Sequence, residues 1–377
     1  MKPKVTILGA GFAGMELATQ LSDEFADDIA VTLINDIDAF VFGYSKLDVM
    51  FGRNTLEAVR LPYRRFLKPG VRFAQETVTA IDPHTRRVTT NMASYDADFL
   101  VVALGADYDF TATPGLRAGH DEFYSVEGAC NLRERLPAFA RGRVVIGICG
   151  APYKCPPAPS ECALMLHDML VKRGVRGDCE IEIVSPLPSP VPPSPETSQA
   201  LLTAFAERGI RFSPGHKVAS LDRARGVAVL DDGKELGCEL FLGIPKHRAP
   251  AVVEAAGMVQ DGFVPVDPRL LETKFADVWA VGDIAATGVP KAGLFAEAAA
   301  AAVAKTLIAR IRGVGEPGRN PGAGTCYLEF GGGRIGKVEV DFLSGPKATG
   351  TYHAPSESLR ADKELFGSSR RARWFGL

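Results

Sequence analysis

The stretch Val5-Thr6-Ile7-Leu8-Gly9-Ala10-Gly11-Phe12-Ala13-Gly14 constrains this chain more than any other. It is an apolar run closed by glycines in a Gly-x-Gly-x-x-Gly spacing, followed by a helix-favouring segment from Met15 to Leu21. Glycines so placed let the backbone turn tightly and approach a pyrophosphate, which the N-terminus of the next helix stabilises with its free N–H groups. With an apolar run at Val31 to Ile34, the opening reads as strand, glycine turn, helix, strand. The same spacing also fits a tight turn with no ligand, but its place between a strand and a helix favours a dinucleotide. The acid usually found at the end of the second strand is replaced by Asn35, with Asp36 beside it. The amide or the neighbouring acid is therefore expected to bind the ribose hydroxyls.

The chain has 377 residues and 46% hydrophobic content, which predicts two or three domains. Phe99 to Ala103, ending at Leu104-Gly105, reads as the exit strand of the first. Arg143 to Ile148 starts a second βα pattern, with a helix from about Ser160 to Lys172 and a strand at Ile181 to Val184. Ser185 to Pro195 holds six prolines and three serines and predicts an extended loop or lid. Val278 to Asp283 and the helix-favouring Gly293 to Ile311 read as a return to the first domain. Short strands at Cys326 to Phe330 and Val338 to Phe342 then precede a basic, aromatic tail, Arg370 to Leu377. The expected fold class is α/β: two three-layer Rossmann-like dinucleotide-binding domains plus a small α+β C-terminal domain. The first would span 1–110 and 250–312, the second 111–249 and the third 313–377.

A formal net charge of −2 argues against a nucleic-acid partner. No run reaches the roughly 18 to 20 apolar residues of a spanning helix. The N-terminus passes straight into the first strand without a leader pattern, so a cytoplasmic protein is expected, with peripheral attachment to the inner face of the cell membrane as an option. Seven cysteines in such a chain suggest thiols, or one redox pair, more than a disulfide framework, and no metal site is expected.

At the second βα turn the sequence is Cys149-Gly150-Ala151-Pro152-Tyr153-Lys154-Cys155-Pro156-Pro157-Ala158-Pro159. Prolines stand where glycines would admit a pyrophosphate, and they lack N–H donors, so NAD(P)H is disfavoured there. Cys155, just before a predicted helix and beside Lys154, is expected to have a lowered pKa. Cys162 lies two helical turns on and could be a substitute thiol. Cys130, Cys149, Cys179 and Cys238 read as small buried hydrophobes. Glu161 and His247 could relay protons, although a helix-capping carboxylate and a surface histidine are the plainer readings.

Val281-Gly282-Asp283, together with Leu100-Val101-Val102-Ala103-Leu104-Gly105, resembles the two-dinucleotide-domain flavoproteins. In that family the aspartate binds the ribityl chain or phosphate of FAD. Asp283 could also be a turn cap. Lys291 and the helix after Gly293 would bring positive charge to the reduced flavin ring. The segment around Cys155 with Glu161, the Thr325-Cys326-Tyr327-Leu328-Glu329-Phe330 element, Pro290-Lys291-Ala292-Gly293, Pro245 to Pro250 and Arg373-Trp374-Phe375 resemble flavocytochrome c sulfide dehydrogenase and sulfide:quinone oxidoreductase. The resemblance implies that Cys155 and Cys326 form a redox pair beside FAD. Hydrosulfide would open their bridge to give a persulfide, and the released thiolate would pass two electrons to the flavin. Some members carry a third upstream cysteine, with which Cys130 does not align. FAD should be non-covalent, because no cysteine precedes Cys130. A quinone is the expected acceptor, since no Cys-x-x-Cys-His haem motif occurs. The alternatives are an NAD(P)H-dependent flavin reductase acting on a disulfide, persulfide or quinone, and a flavin-binding partner protein without turnover. The basic tail could rest on an anionic membrane surface or dock on its own domain.

Overall fold

The computed structural model describes residues 2–117 and 121–377. It opens with β1 (Lys4–Leu8), α1 (Phe12–Phe25), β2 (Ala30–Asn35), α2 (Ser45–Met50), β3 (Val71–Gln75) and β4 (Phe99–Val102). The second unit contains β5 (Gly142–Ile148), α3 (Ala158–Lys172), β6 (Cys179–Ser185), α4 (Pro195–Glu207), β7 (Ile210–Pro214) and β8 (Leu240–Ile244). The chain then runs through β9 (Val278–Ala280) and α5 (Gly293–Arg312) to the antiparallel strands β10 (Ala323–Glu329), β11 (Ile335–Asp341) and β12 (Thr349–His353), and to α6 (Glu357–Arg370).

Two parallel sheets organise the molecule, in the orders β9-β4-β1-β2-β3 and β7-β6-β5-β8. Strands such as β1 are buried almost throughout because helices cover both faces of a parallel sheet. Each half also carries a three-stranded antiparallel meander, at residues 78–96 before β4 and 218–237 before β8. Strand β9 joins the first sheet beside β4, so the expected return of the chain is observed. The predicted α/β class with two Rossmann-like units and a small antiparallel C-terminal unit is correct. Alanines of α5 pack closely on α1, and Gly313 ends α5 in the left-handed conformation that a glycine adopts without strain.

One expectation needs correction, and one open alternative is decided. The proline-rich segment is a loop only to Ser194, whose hydroxyl caps α4 with Pro195 in its first turn. The sequence reading missed that helix because the prolines hid its start. Of the two places open to the C-terminal tail, the structure shows it docked on its own chain. Trp374 and Phe375 are buried, and Trp374 Nε1 and Arg373 Nη2 each reach the Glu16 carboxylate on α1 at 2.9 Å. Burial alone would raise the Glu16 pKa, but hydrogen bonds from Arg373, Gln20 and Trp374 hold it below its ordinary value. Among the described residues no helix is long and apolar enough to cross a membrane.

Candidate active site

The glycine turn is shaped by close backbone approach. A Cβ on Gly9, whose φ is 99°, would lie 2.3 Å from Ala103 O, and one on Gly14 would lie 1.9 Å from Gly9 O. Gly11 has open space instead and lines a cleft. No side chain caps α1 at Gly11, so its first N–H groups remain available. Asn35 Oδ1 accepts from Ala10 N at 2.9 Å, while its buried Nδ2 has no partner. An orphaned donor in a cleft wall suits a ribose hydroxyl. Asp36 is exposed and does not line the cleft; Asp38 does. Of the two expected ribose residues, only Asn35 is positioned for that role.

Two adjoining cavities of about 430 and 270 Å³ share Gly11, Phe40, Lys46, Ala103 and Gly105. The smaller continues to Gly282, Asp283, Lys291, Gly293 and Cys155. Helix α5 also begins without a side-chain cap, and its first residue, Gly293, lies in this wall. Lys291 Nζ donates to Asp283 O at 2.5 Å and lies 3.6 Å from the Phe263 ring centre. Burial pulls its pKa down to about 8 against the opposing pull of Asp283. The Asp283 carboxyl is raised by burial, an effect moderated by Lys154, Lys291 and Lys46. An extended dinucleotide with a flavin ring matches this wall of uncapped helix ends, bare glycines and buried lysines.

The second turn is built differently. Ala158 N donates to Cys155 O, and Ser160 N and Glu161 N both donate to Pro157 O. Pro157 and Pro159 have no N–H, so the start of α3 has no donor left for a pyrophosphate. Cys155 N donates to Lys291 O at 2.8 Å, which ties this turn to the flavin cleft. Cys155 has a φ of 51°, in the left-handed region that side chains seldom occupy.

The expected low pKa of Cys155 is wrong. Burial pushes the thiol well up, and Glu161 and Cys326 add to the effect. Lys154 does not oppose this, because its Nζ turns away to Ala106 O at 2.8 Å and over the Tyr108 ring. Lys46 and the backbone N–H of Ala158, at the start of the helix, pull the other way, but burial outweighs them.

Cys326 on β10 packs into the same apolar cluster as Cys155, and both are free thiols. Burial, with Glu161 second, raises Cys326 to about 12. Glu161 is buried and close enough to act on both thiols. Its Oε1 accepts from Glu329 N at 3.1 Å, linking α3 to β10, and burial raises its carboxyl to about 7. It is more than a helix cap. Cys162 is wholly buried behind the cleft and its thiol is also pushed up, so it is no ready substitute nucleophile.

His247 is buried, not on the surface. Its Nδ1 lies 2.7 Å from Pro245 O, Nε2 has no partner, and Tyr108 and Tyr124 meet it edge-on. Tyr44, Lys46 and Tyr124 also line the smaller cavity, and none was singled out from sequence. They lack a local signal, since only the packing of α2 brings the first two there.

Residues 3–304 match the family model described as pyridine nucleotide-disulphide oxidoreductase. A sulfide-quinone reductase of Aquifex aeolicus is 26% identical over 355 residues, covering 88% of this chain and 82% of that protein. An NADH dehydrogenase-like protein of Mycobacterium tuberculosis is 30% identical over 301 residues, covering 75% and 73%. The crystal structure of the Aquifex aeolicus sulfide:quinone oxidoreductase superposes with a TM-score of 0.86 at 24% identity, covering 98% of this chain and 91% of that one. The chain belongs to the pyridine nucleotide-disulphide oxidoreductase family and is a flavin-dependent oxidoreductase with FAD as its cofactor.

Proposed function

We propose that this protein oxidises sulfide through Cys155 and Cys326 and passes the electrons by way of FAD to a quinone. What supports the reading is that Cys155 lines the flavin cleft, packs against the same apolar cluster as Cys326, and feels the charges of Cys326 and of Glu161, a carboxyl of raised proton affinity. FAD, when bound, supplies the two-electron acceptor. Gly9, Gly11 and the start of α1 would hold its pyrophosphate, Asn35 a ribose, and Gly105, Gly282, Asp283 and Lys291 the remainder, while Gly14 keeps α1 close to the turn. The Aquifex relative is named for both sulfide and quinone, which supports the substrate and the acceptor. A quinone acceptor requires access to a membrane surface from the cytoplasm.

Buried protonated thiols are poor nucleophiles, so in this reading hydrosulfide is the attacking group and the resting pair is oxidised. Its sulfur bonds to one cysteine, the Cys155–Cys326 bond breaks, and the other sulfur leaves as a thiolate that takes a proton from Glu161. Joining the persulfide to the thiol through the new sulfur would release two electrons and two protons; bound FAD would supply the acceptor for the electrons and one proton, and the Glu161 carboxylate would recover the other.

Anaerobic sulfide should bleach the flavin absorbance of the wild type, and Cys155→Ser or Cys326→Ser should slow this by about 100-fold or more. Bleaching by NADH and not by sulfide would overturn the proposal in favour of a nicotinamide-dependent reductase. An unreactive flavin with both would favour a binding protein.

A further inference from the structure

The two helices whose uncapped starts face the flavin cavity, α1 and α5, carry the same device one turn in. Glu16 lies four residues after Phe12, the first residue of α1, and Glu297 lies four residues after Gly293, the first of α5. Four residues are about 6 Å of helix and a little over one turn, so each carboxyl stands close behind the end that faces the cofactor. Both are gripped by one short piece of chain. Arg373 meets Glu16 with Nε and Nη2, each at 2.9 Å, and Arg370 meets Glu297 with Nε at 3.0 Å and Nη2 at 2.8 Å. Trp374 Nε1 adds its bond to Glu16.

The two helix starts also touch. A Cβ on Gly293 would lie 2.7 Å from the Phe12 ring, and both residues line the smaller cavity. The Phe12 ring is backed by buried Trp374, edge-on at 5.7 Å between ring centres, and by Phe366 of α6, stacked at 6.3 Å. Trp374 also meets Phe40, which lines both cavities, at 6.0 Å. Behind these starts α5 lies on α1 through alanines, whose shallow ridges hold one helix only weakly against sliding along the other.

We propose that residues 370–374 form a clamp for FAD, in which Arg370, Arg373 and Trp374 are positioning residues that line neither cavity and fix the spacing of the two helix starts that face the cofactor. A pyrophosphate needs the N–H groups at the start of α1, and a reduced flavin ring needs the positive end of α5. Both interactions fall off steeply with displacement, since they act through hydrogen bonds and through the first turn alone. A two-pronged arginine pair fixes direction as well as distance, which a point charge does not. Because one segment carries both arginines, losing either grip unties α1 from α5. Arg373 also reaches Asp23 at 3.3 Å, toward the far end of α1, and that contact leaves both helix starts untouched. The clamp is independent of which donor reduces the flavin.

The test is the release of FAD from diluted holoprotein, followed by the rise of flavin fluorescence, with far-ultraviolet circular dichroism recorded alongside. Arg370→Met and Arg373→Met should each speed release by about 10-fold while the dichroism stays native. The double variant should be no more than about 2-fold faster than the faster single one, because either loss opens the same clamp, whereas independent contacts would multiply to about 100-fold. Arg370→Lys and Arg373→Lys, which keep the charge with one prong, should release about 3-fold faster than the wild type, and they carry the comparison where a methionine variant is not recovered folded. Trp374→Phe keeps the ring against Phe12 and should stay within about 2-fold of the wild type, while Trp374→Ala should release about 10-fold faster. Asp23→Asn should release at the wild-type rate. Unchanged release in both arginine variants, effects that multiply, or flavin lost only as fast as the helix signal would overturn the inference.

Discussion

The two strand-to-helix turns, at residues 9–14 and 149–157, occupy equivalent places in the two Rossmann-like halves and do opposite things. The first leaves its helix end uncapped and its backbone bare, with an orphaned Asn35 amide beside it. The second has spent or lost every donor at the start of α3 and presents Cys155 to the cleft of the first. The same βα geometry therefore serves as a nucleotide cradle when glycines leave N–H groups free, and as a mount for a thiol when prolines remove them. What distinguishes the two is the count of available donors, which prolines reduce directly.

The largest effect that would break this contrast is at the glycines. Gly14→Val puts its side chain into Gly9 O, and the protein should be recovered without flavin, as read by the ratio of visible to ultraviolet absorbance. Gly150→Ala meets Lys246 alone, its Cβ and Cγ at 3.0 Å and its Cα at 3.3 Å, and should keep its flavin at a cost of about 1 kcal/mol in urea unfolding. Equal loss from both would mean that the second turn also cradles a nucleotide.

Glu161 gives the next largest effect. A carboxyl whose folded pKa is raised from 4.5 to about 7 costs stability as pH rises through that window. Glu161→Gln should match the wild type near pH 4.5 and exceed it by about 3 kcal/mol at pH 8. Denaturant midpoints at the two pH values decide this. Glu16 has the opposite sign: its lowered pKa contributes stability above its unfolded value of 4.5, which is lost as pH falls through the folded value. Glu16→Gln should cost about 1 to 2 kcal/mol at pH 7, since Arg373 is partly exposed and its charge partly screened. The loss should vanish in acid. Asn35→Ala should weaken FAD binding by about 10-fold by flavin fluorescence, one hydrogen bond's worth, whereas Asp36→Asn should leave it unchanged.

The parts of the fold that were legible in the sequence are those governed by local rules. The glycine turn, α3, α5 and the strand leading to Asp283 lie close to their predicted places, because apolar periodicity and backbone sterics act over a few residues. Helix α4 was missed because the five prolines in front of it read as continuing loop, although Ser194 and Pro195 form an ordinary helix start. His247 was read as a surface residue from its basic neighbours, yet Tyr108 and Tyr124, far away in sequence, enclose it.

By itself the sequence determined the α/β class, the glycine turn and the proline-blocked second turn, since the residues at those turns decide which backbone angles and donors exist. Only the tertiary structure decided that Cys155 and Cys326 pack against one apolar cluster within reach of the Glu161 charge, that Lys154 turns away, and that burial raises the proton affinity of both thiols. The proton affinity of a buried group depends on how much water its neighbours exclude and which charges they bring, and those neighbours come from α2, α3, β10 and α6 only once the chain has folded.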